Sequence, residues 1–315
     1  MPKGRGSFLA SPYLMLTFVM LTWSLNWVIG RAIVGHVSPL AFTFARWVVA
    51  VACMLPFAWP QIRDSWPVIR RHWRTILWLG FWGTGLHNGF AYVGLQYTTA
   101  TNGVILNSSI PVMIVLIGWA IYRDAVTRLQ AAGIAISLAG VLTIIVRGDA
   151  AVLATLSLNK GDLILLAGMV FWAAYTVFLR IKPEGLPGLA MLCCCGMVGV
   201  SLLFPLFLAE LAFFGGHVDF TPATIGAMLY VGIFPSFVAY LLWNRAVAEV
   251  GSNVAGIFMH LMPAFGALLA WAFLGERPQL FHVVGIALIL LGITLTTRGR
   301  RGIGVAQTGN ADERR

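Results

Sequence analysis

Along this chain apolar side chains gather into ten stretches of about the length a helix needs to cross the hydrocarbon of a bilayer, roughly 18 residues. They lie at about 13–30, 39–58, 75–95, 103–122, 129–146, 161–181, 188–213, 224–243, 254–274 and 280–297. The polar stretches between them are mostly shorter than a dozen residues, which leaves no room for a separate soluble domain. The pattern predicts an all-α membrane protein of ten transmembrane helices. Composition points the same way: 59% of the 315 residues are hydrophobic and 10% are charged, against roughly 25% charged in soluble domains.

A net charge of +10 would suggest nucleic acid in a soluble protein, so its distribution matters more than its sign. With the N-terminus placed inside, the inner connections and ends hold Lys3, Arg5, Arg63, Arg70, Arg71, Arg74, Arg123, Arg128, Arg180, Lys182, Arg245, Arg298, Arg300, Arg301, Arg314 and Arg315. The outer connections hold Arg31, Arg147, Lys160 and Arg277, and Arg46 lies within a span. That bias of 16 to 4 follows the positive-inside rule. Both termini are therefore expected in the cytoplasm of a bacterial inner membrane, with anionic lipid and no nucleic acid as the partner of the basic face. Lys3, Arg5 and the apolar run after them superficially resemble a signal peptide, a reading rejected because that run has a counterpart later in the chain. Cys53 and the run Cys193, Cys194, Cys195 lack Cys-x-x-Cys spacing and read as small packing residues.

The chain repeats itself. Residues 110–143 align with 262–295 at an offset of 152 without a gap, pairing Pro111 with Pro263, Trp119 with Trp271, Asp124 with Glu276, Gly133 with Gly285 and Gly140 with Gly292. At an offset of 149, "LTWSLNWVIGR" (21–31) lies on "VFWAAYTVFLR" (170–180), pairing Trp23 with Trp172 and Arg31 with Arg180. Each copy then contains five spans, an odd number, so the second must enter the membrane from the opposite side. The expected domains are a first five-helix repeat over 1–147, a second, inverted one over 161–298, and a disordered cytoplasmic tail over 299–315.

"GDLILLAGMVFWAAYTVFLR" (161–180), "AVAEVGSNVAGIFMHLMPAFGALLAWAFLGERPQLFHVVGIALILLGITL" (246–295) and "GIAISLAGVLTII" in the first half carry a resemblance. Over essentially all of 13–297 the chain resembles the drug/metabolite transporter superfamily and its EamA-type members, close to bacterial inner-membrane amino-acid exporters. Pro263, Leu274-Gly275-Glu276, Gly285 and Gly292 are the specific part of the match, and Tyr122-Arg123-Asp124 departs from it where Leu-Gly-Glu is usual. The resemblance implies ten helices and efflux of a small metabolite. It does not choose the metabolite.

Polar residues inside the spans are the candidate site. Pro111 obstructs the carbonyl four residues earlier, so a bend with free backbone acceptors is expected beside Asn107, Ser108 and Ser109. His260, in "MHLMP" (259–263), is the counterpart of Ser108. Asn88 and Tyr92 recur on one helical face with His87 adjacent, and their counterparts Tyr240 and Asn244 exchange the amide and the phenol. Trp23 with Asn26, and Trp172 with Tyr175, share faces on the first and sixth spans. Ser109 apart, these twelve residues suit a cavity for an apolar or zwitterionic metabolite; the plainer reading of each by itself is an interhelical hydrogen bond or core. Arg46, where a charge costs about 2.5–3.5 kcal/mol to insert, either attracts a substrate carboxylate or snorkels to helix-end carbonyls. The resemblance favours the second. Trp59–Arg74, "WPQIRDSWPVIRRHWR", reads as a segment on the inner membrane surface.

No phosphate-binding G-x-x-x-x-G-K-[ST] loop, H-E-x-x-H zinc motif or G-x-S-x-G elbow occurs in the sequence, so no cofactor, metal or enzymatic reaction is expected. Glu210 is the single acidic residue well inside a span, and proton-coupled carriers commonly use such groups. The sequence therefore points to downhill export of amino acids or similar small metabolites by a monomer working through alternating access. Proton-coupled multidrug or metabolite efflux, with His87 and His260 as titrating groups, is the alternative.

Overall fold

The computed structural model describes residues 11–33, 35–98, 103, 106–146, 159–274 and 279–312. In chain order its α-helices are α1 (Pro12–Ala32), α2 (Pro39–Asp64), α3 (Trp66–Arg71), α4 (Trp73–Gly80), α5 (His87–Gly94), α6 (Ile110–Tyr122) and α7 (Arg128–Ile145). There follow α8 (Lys160–Phe178), α9 (Gly188–Phe213), α10 (Pro222–Val231), α11 (Ala239–Val250), α12 (Ser252–Ile257), α13 (Leu261–Leu274) and α14 (Leu280–Asp312). Among the described residues there is no strand, and an isolated antiparallel bridge joins Val37 to Val218.

Eight helices among the described residues are long and apolar enough to cross a membrane. Only 28% to 67% of each is buried inside the protein. Much of the rest is bare hydrocarbon, with Leu163, Phe204, Leu229 and Leu290 all exposed. A coat of that extent needs lipid as its solvent. The predicted span at 75–95 is built from α4 and α5 joined by a π-helical stretch, Phe81–Leu86. Of the span predicted at 103–122, α6 covers 13 residues. Lys3, Arg5, Arg147, Arg277 and Gly275-Glu276 lie outside the described residues. Trp59, Trp66 and Trp73 of the predicted surface segment point outward.

The proline at 111 interrupts its helix more sharply than a bend. It stands in the first turn of α6, where a missing N–H costs nothing, after a turn at Ser108 and Ser109. The second half repeats the device: Pro263 sits in the first turn of α13, after a 3-10 turn over Phe258–His260 that follows α12. At the far end of α6, Arg123 takes the left-handed conformation (φ 56°) that ends helices and favours glycine. This is the middle position of Tyr122-Arg123-Asp124, where the resemblance implies glycine.

Two features fix the packing of the long helices. Antiparallel α7 and α14 cross so closely at glycine that Gly133 faces Gly292 and Gly140 faces Gly285. A methyl group on Gly292 would stand 2.4 Å from the Gly133 carbonyl oxygen, and one on Gly140 would stand 2.6 Å from that of Gly285. Small residues permit such backbone approach where lipid offers no hydrophobic drive.

The second feature is Glu210, near the end of α9. Its carboxylate accepts from Leu40 N (3.1 Å), Ala41 N (2.8 Å) and Ser38 Oγ (2.8 Å), closing the N-terminus of α2 from a neighbouring helix. Ser38 makes no cap of its own because its hydroxyl donates to Glu210. Glu210→Ala is expected to destabilise the protein by about 1–2 kcal/mol, the usual cost of a lost cap. The midpoint of thermal unfolding in detergent, compared with that of Asp64→Ala on the exposed end of α2, checks this.

Candidate functional site

Between α1, α2, α5, α8, α11 and the segment at Asn107 lies a partly enclosed cavity. Its position follows from the irregular backbone around it. The π-helical stretches Phe81–Leu86 and Gly232–Val238 widen two helices by one residue per turn and free carbonyl groups. Aromatic side chains take up those acceptors: Tyr240 Oη donates to Gly83 O (3.0 Å) and Trp23 Nε1 donates to Pro235 O (3.0 Å). Each bond sets the angle of a ring at the cavity.

The rings form one cluster. Trp23 and Trp172 meet edge to face with centroids 5.0 Å apart, and Trp172 stands 5.1 Å from Tyr240 in the same manner. Behind them Trp47 and Trp243 pack on Tyr240 and Trp23 at 5.0 and 5.3 Å. Trp172 Nε1 is buried with no acceptor. An aromatic, apolar wall suits a ligand with an apolar body.

Polar groups line the rest. His87 Nδ1 lies 2.7 Å from Gly168 O, which only accepts, so that nitrogen carries the proton and Nε2 of the neutral ring is left an acceptor. Asn88 and Tyr92, one turn apart on α5, both meet Arg46: Nη1 donates to Asn88 Oδ1 (3.0 Å) and to Tyr92 Oη (3.1 Å). Tyr92 in turn donates to Asn26 Oδ1 (3.2 Å), and Asn88 Nδ2 donates to Tyr240 Oη (3.1 Å). Asn107 lines the cavity near Met259 and Met262, and its Nδ2 points to Met262 Sδ at 3.6 Å.

The structure thus brings Trp23, Asn26, His87, Asn88, Tyr92, Asn107, Trp172 and Tyr240 to one cavity. Four other residues expected there lie behind it. Tyr175 donates to Asn244 Oδ1 at 2.8 Å, both side chains being buried. His260 is 0% exposed: its Nε2 donates to Ser108 O (3.0 Å) while Nδ1 accepts from Ser137 Oγ (2.7 Å). The Ser108 carbonyl, in the turn ahead of Pro111, is therefore met by a side chain of the other half, and both imidazole nitrogens are occupied.

The profile of the EamA-like transporter family matches residues 10–146 and again 159–298. The chain belongs to the EamA-like transporter family. Similar members include an uncharacterized transporter of Archaeoglobus fulgidus, 27% identical over 90% of this chain and 96% of the relative. YyaM of Bacillus subtilis, also an uncharacterized transporter, is 28% identical over 91% of this chain and 93% of its own length. A protein named a probable terminal-alkyne amino-acid exporter, from Streptantibioticus cattleyicolor, is 27% identical over 66% of this chain and 68% of its own. A solved crystal structure 19% identical in sequence superposes with a TM-score of 0.74 over 93% of this chain and 98% of that one, which shows the fold.

This EamA-like transporter is a multi-pass membrane protein whose similar members are named transporters or, in one case, a probable exporter. Its cavity also includes residues absent from the set expected from sequence: Arg46, Trp27, Met169, Met259 and Met262. Trp27 stands four residues after Trp23, a helical spacing that could have revealed it. The methionines carry no such signal. Arg46 neither snorkels nor pairs with helix-end carbonyls: it is 2% exposed and bonded to three side chains.

Proposed function

We propose that this EamA-like transporter is a monomeric, ten-helix secondary carrier exporting amino acids or similar small metabolites across a bacterial inner membrane. Two inverted five-helix repeats, residues 1–147 and 161–298, exchange packing arrangements around the cavity, with both termini in the cytoplasm. The observation that carries this is that counterparts in the two copies touch one another. Trp23 meets Trp172 at 5.0 Å, Asn88 bonds to Tyr240 at 3.1 Å, and Ser108 O accepts from His260 at 3.0 Å. In a two-fold arrangement a residue meets its own counterpart only on the axis, so these pairs support a pseudo-axis running through the site.

Off-axis contacts support it by reciprocity. Gly133 faces the counterpart of Gly140, and Gly140 faces the counterpart of Gly133. The bond from Tyr92 to Asn26 answers that from Tyr175 to Asn244, with amide and phenol exchanged. Both π-helical stretches fall at equivalent places.

Amino acids as cargo are supported by the name of the Streptantibioticus relative and by a cavity holding aromatic walls, an arginine and neutral acceptors. Among the described residues no carboxylate lines the cavity, and Glu210 is committed to α2. Both favour downhill export over proton coupling or cation efflux. Purified full-length protein reconstituted in liposomes is expected to exchange labelled for unlabelled amino acid saturably and without acidifying the vesicle interior. Flux that rises in proportion to concentration, or a proton current that follows the substrate, would overturn the carrier or the downhill mechanism respectively.

A further inference from the structure

Arg46 is a buried cation without a buried anion. Nε donates to Ser236 Oγ (2.8 Å) and Nη1 donates to Asn88 Oδ1 and Tyr92 Oη, all neutral acceptors. Nη2 makes no hydrogen bond to a described residue, and the side chain lines the cavity. The described carboxylates that accept hydrogen bonds are committed elsewhere: Asp124 to Arg180, Asp162 to Thr98 and Asn159, Glu210 to α2, Asp219 to His36, and Glu249 to Arg245.

A guanidinium enclosed in protein at membrane depth is costly unless an opposite charge meets it. Bonds at Nε and Nη1 hold its plane and leave the two N–H groups of Nη2 without a partner among the described residues. That is a preorganised, charged pair of N–H donors for an oxyanion.

We infer that Arg46 is the specificity-determining group of the cavity, receiving a carboxylate of the transported molecule through Nη2. This rests on the cavity being the transport site, as proposed above, and it defines the cargo further. The molecule must bear a carboxylate; an ammonium group is accommodated by neutral acceptors, His87 Nε2 and the amide oxygen of Asn107, and is not required. The aromatic cluster holds an apolar body, so an aromatic acid fits and the corresponding amine does not. An organic cation with no carboxylate is repelled.

The test uses three probes of one shape: L-phenylalanine, 3-phenylpropionate, which lacks the amine, and phenethylamine, which lacks the carboxylate. In the purified, detergent-solubilised full chain the two carboxylates are expected to raise the midpoint of thermal unfolding, because a ligand of the folded state stabilises it. Phenethylamine is expected to bind at least about 30-fold more weakly, the scale of a lost charge-assisted hydrogen bond. This comparison needs no variant. Arg46→Lys keeps the charge without the fixed planar donors and is expected to weaken carboxylate binding about 10-fold; Arg46→Gln is expected to remove the preference for carboxylate over amine.

Equal stabilisation by all three probes, no stabilisation by either carboxylate, or a preference unchanged in a folded Arg46→Gln protein would overturn the assignment. Liposome exchange separates this from the transport proposal. Carboxylate binding without exchange would leave Arg46 standing and remove the carrier. Amino-acid exchange unaffected by Arg46→Gln would do the reverse.

Discussion

Gly292→Val is expected to abolish recovery of folded protein. The valine Cβ would lie 2.4 Å from the Gly133 carbonyl oxygen and 2.5 Å from Ser137 Cβ. The first of these is backbone and cannot turn aside. Overpacking a soluble core usually costs about 1–3 kcal/mol because side chains shift; here two whole helices must separate, and with them every contact between α7 and α14. Gly140→Val should act alike, since its Cβ would meet Gly285 O at 2.6 Å. Gly226→Val is the control, with nothing within 4 Å of its added Cβ. The measurement is the yield of a monodisperse peak by size-exclusion chromatography in detergent. A Gly292→Val protein eluting like the parent, with the same melting midpoint, would mean that the crossing is looser than described.

Trp172→Ala is expected to reduce exchange at least about tenfold per folded molecule while the protein still inserts. Its ring, 1% exposed, touches Trp23, Tyr240, Trp243, Tyr175 and His87 with centroids between 5.0 and 5.6 Å. Removing a buried Trp costs about 3–5 kcal/mol through lost contacts and a residual void, so the melting midpoint should fall as well. Trp172→Phe, which keeps an apolar ring and loses the unused N–H, separates packing from hydrogen bonding. If that variant recovers stability but not exchange, the indole N–H contacts the cargo. Should Trp172→Ala exchange normally once corrected for folded protein, the ring belongs to the core alone.

The long apolar runs were legible because hydrocarbon thickness sets a length that any sequence must meet. Sequence alone also paired the residues that turn out to touch, Trp23 with Trp172 and Asn88 with Tyr240, since a duplicated chain keeps its spacing. Facing was harder to read. Hydropathy gives the same signal for a side chain against lipid, core or cavity, so Trp23 and Trp119 look alike, yet the first is 8% and the second 55% exposed. Arg46 was visible as a charge, but its partners come from two other segments of the chain and no local pattern announces them. The role of Glu210 was hidden for the same reason: the amide groups it satisfies lie 169 and 170 residues away in sequence. The π-helical stretches left no trace, because one surplus residue in a turn barely alters an apolar period.

Those two stretches carry a mechanical consequence. Each stores a single extra residue beside the cavity, in Phe81–Leu86 and in Gly232–Val238. Tightening such a turn to ordinary α geometry advances everything beyond it by about 100°, one residue of a 3.6-residue turn, without unpairing the backbone. On one side this would swing Asn88 and Tyr92 away from the guanidinium they hold; on the other it would swing Tyr240 away from Asn88. The irregularity beside the cavity is thus a count of residues per turn, set inside continuous helices and not in a loop.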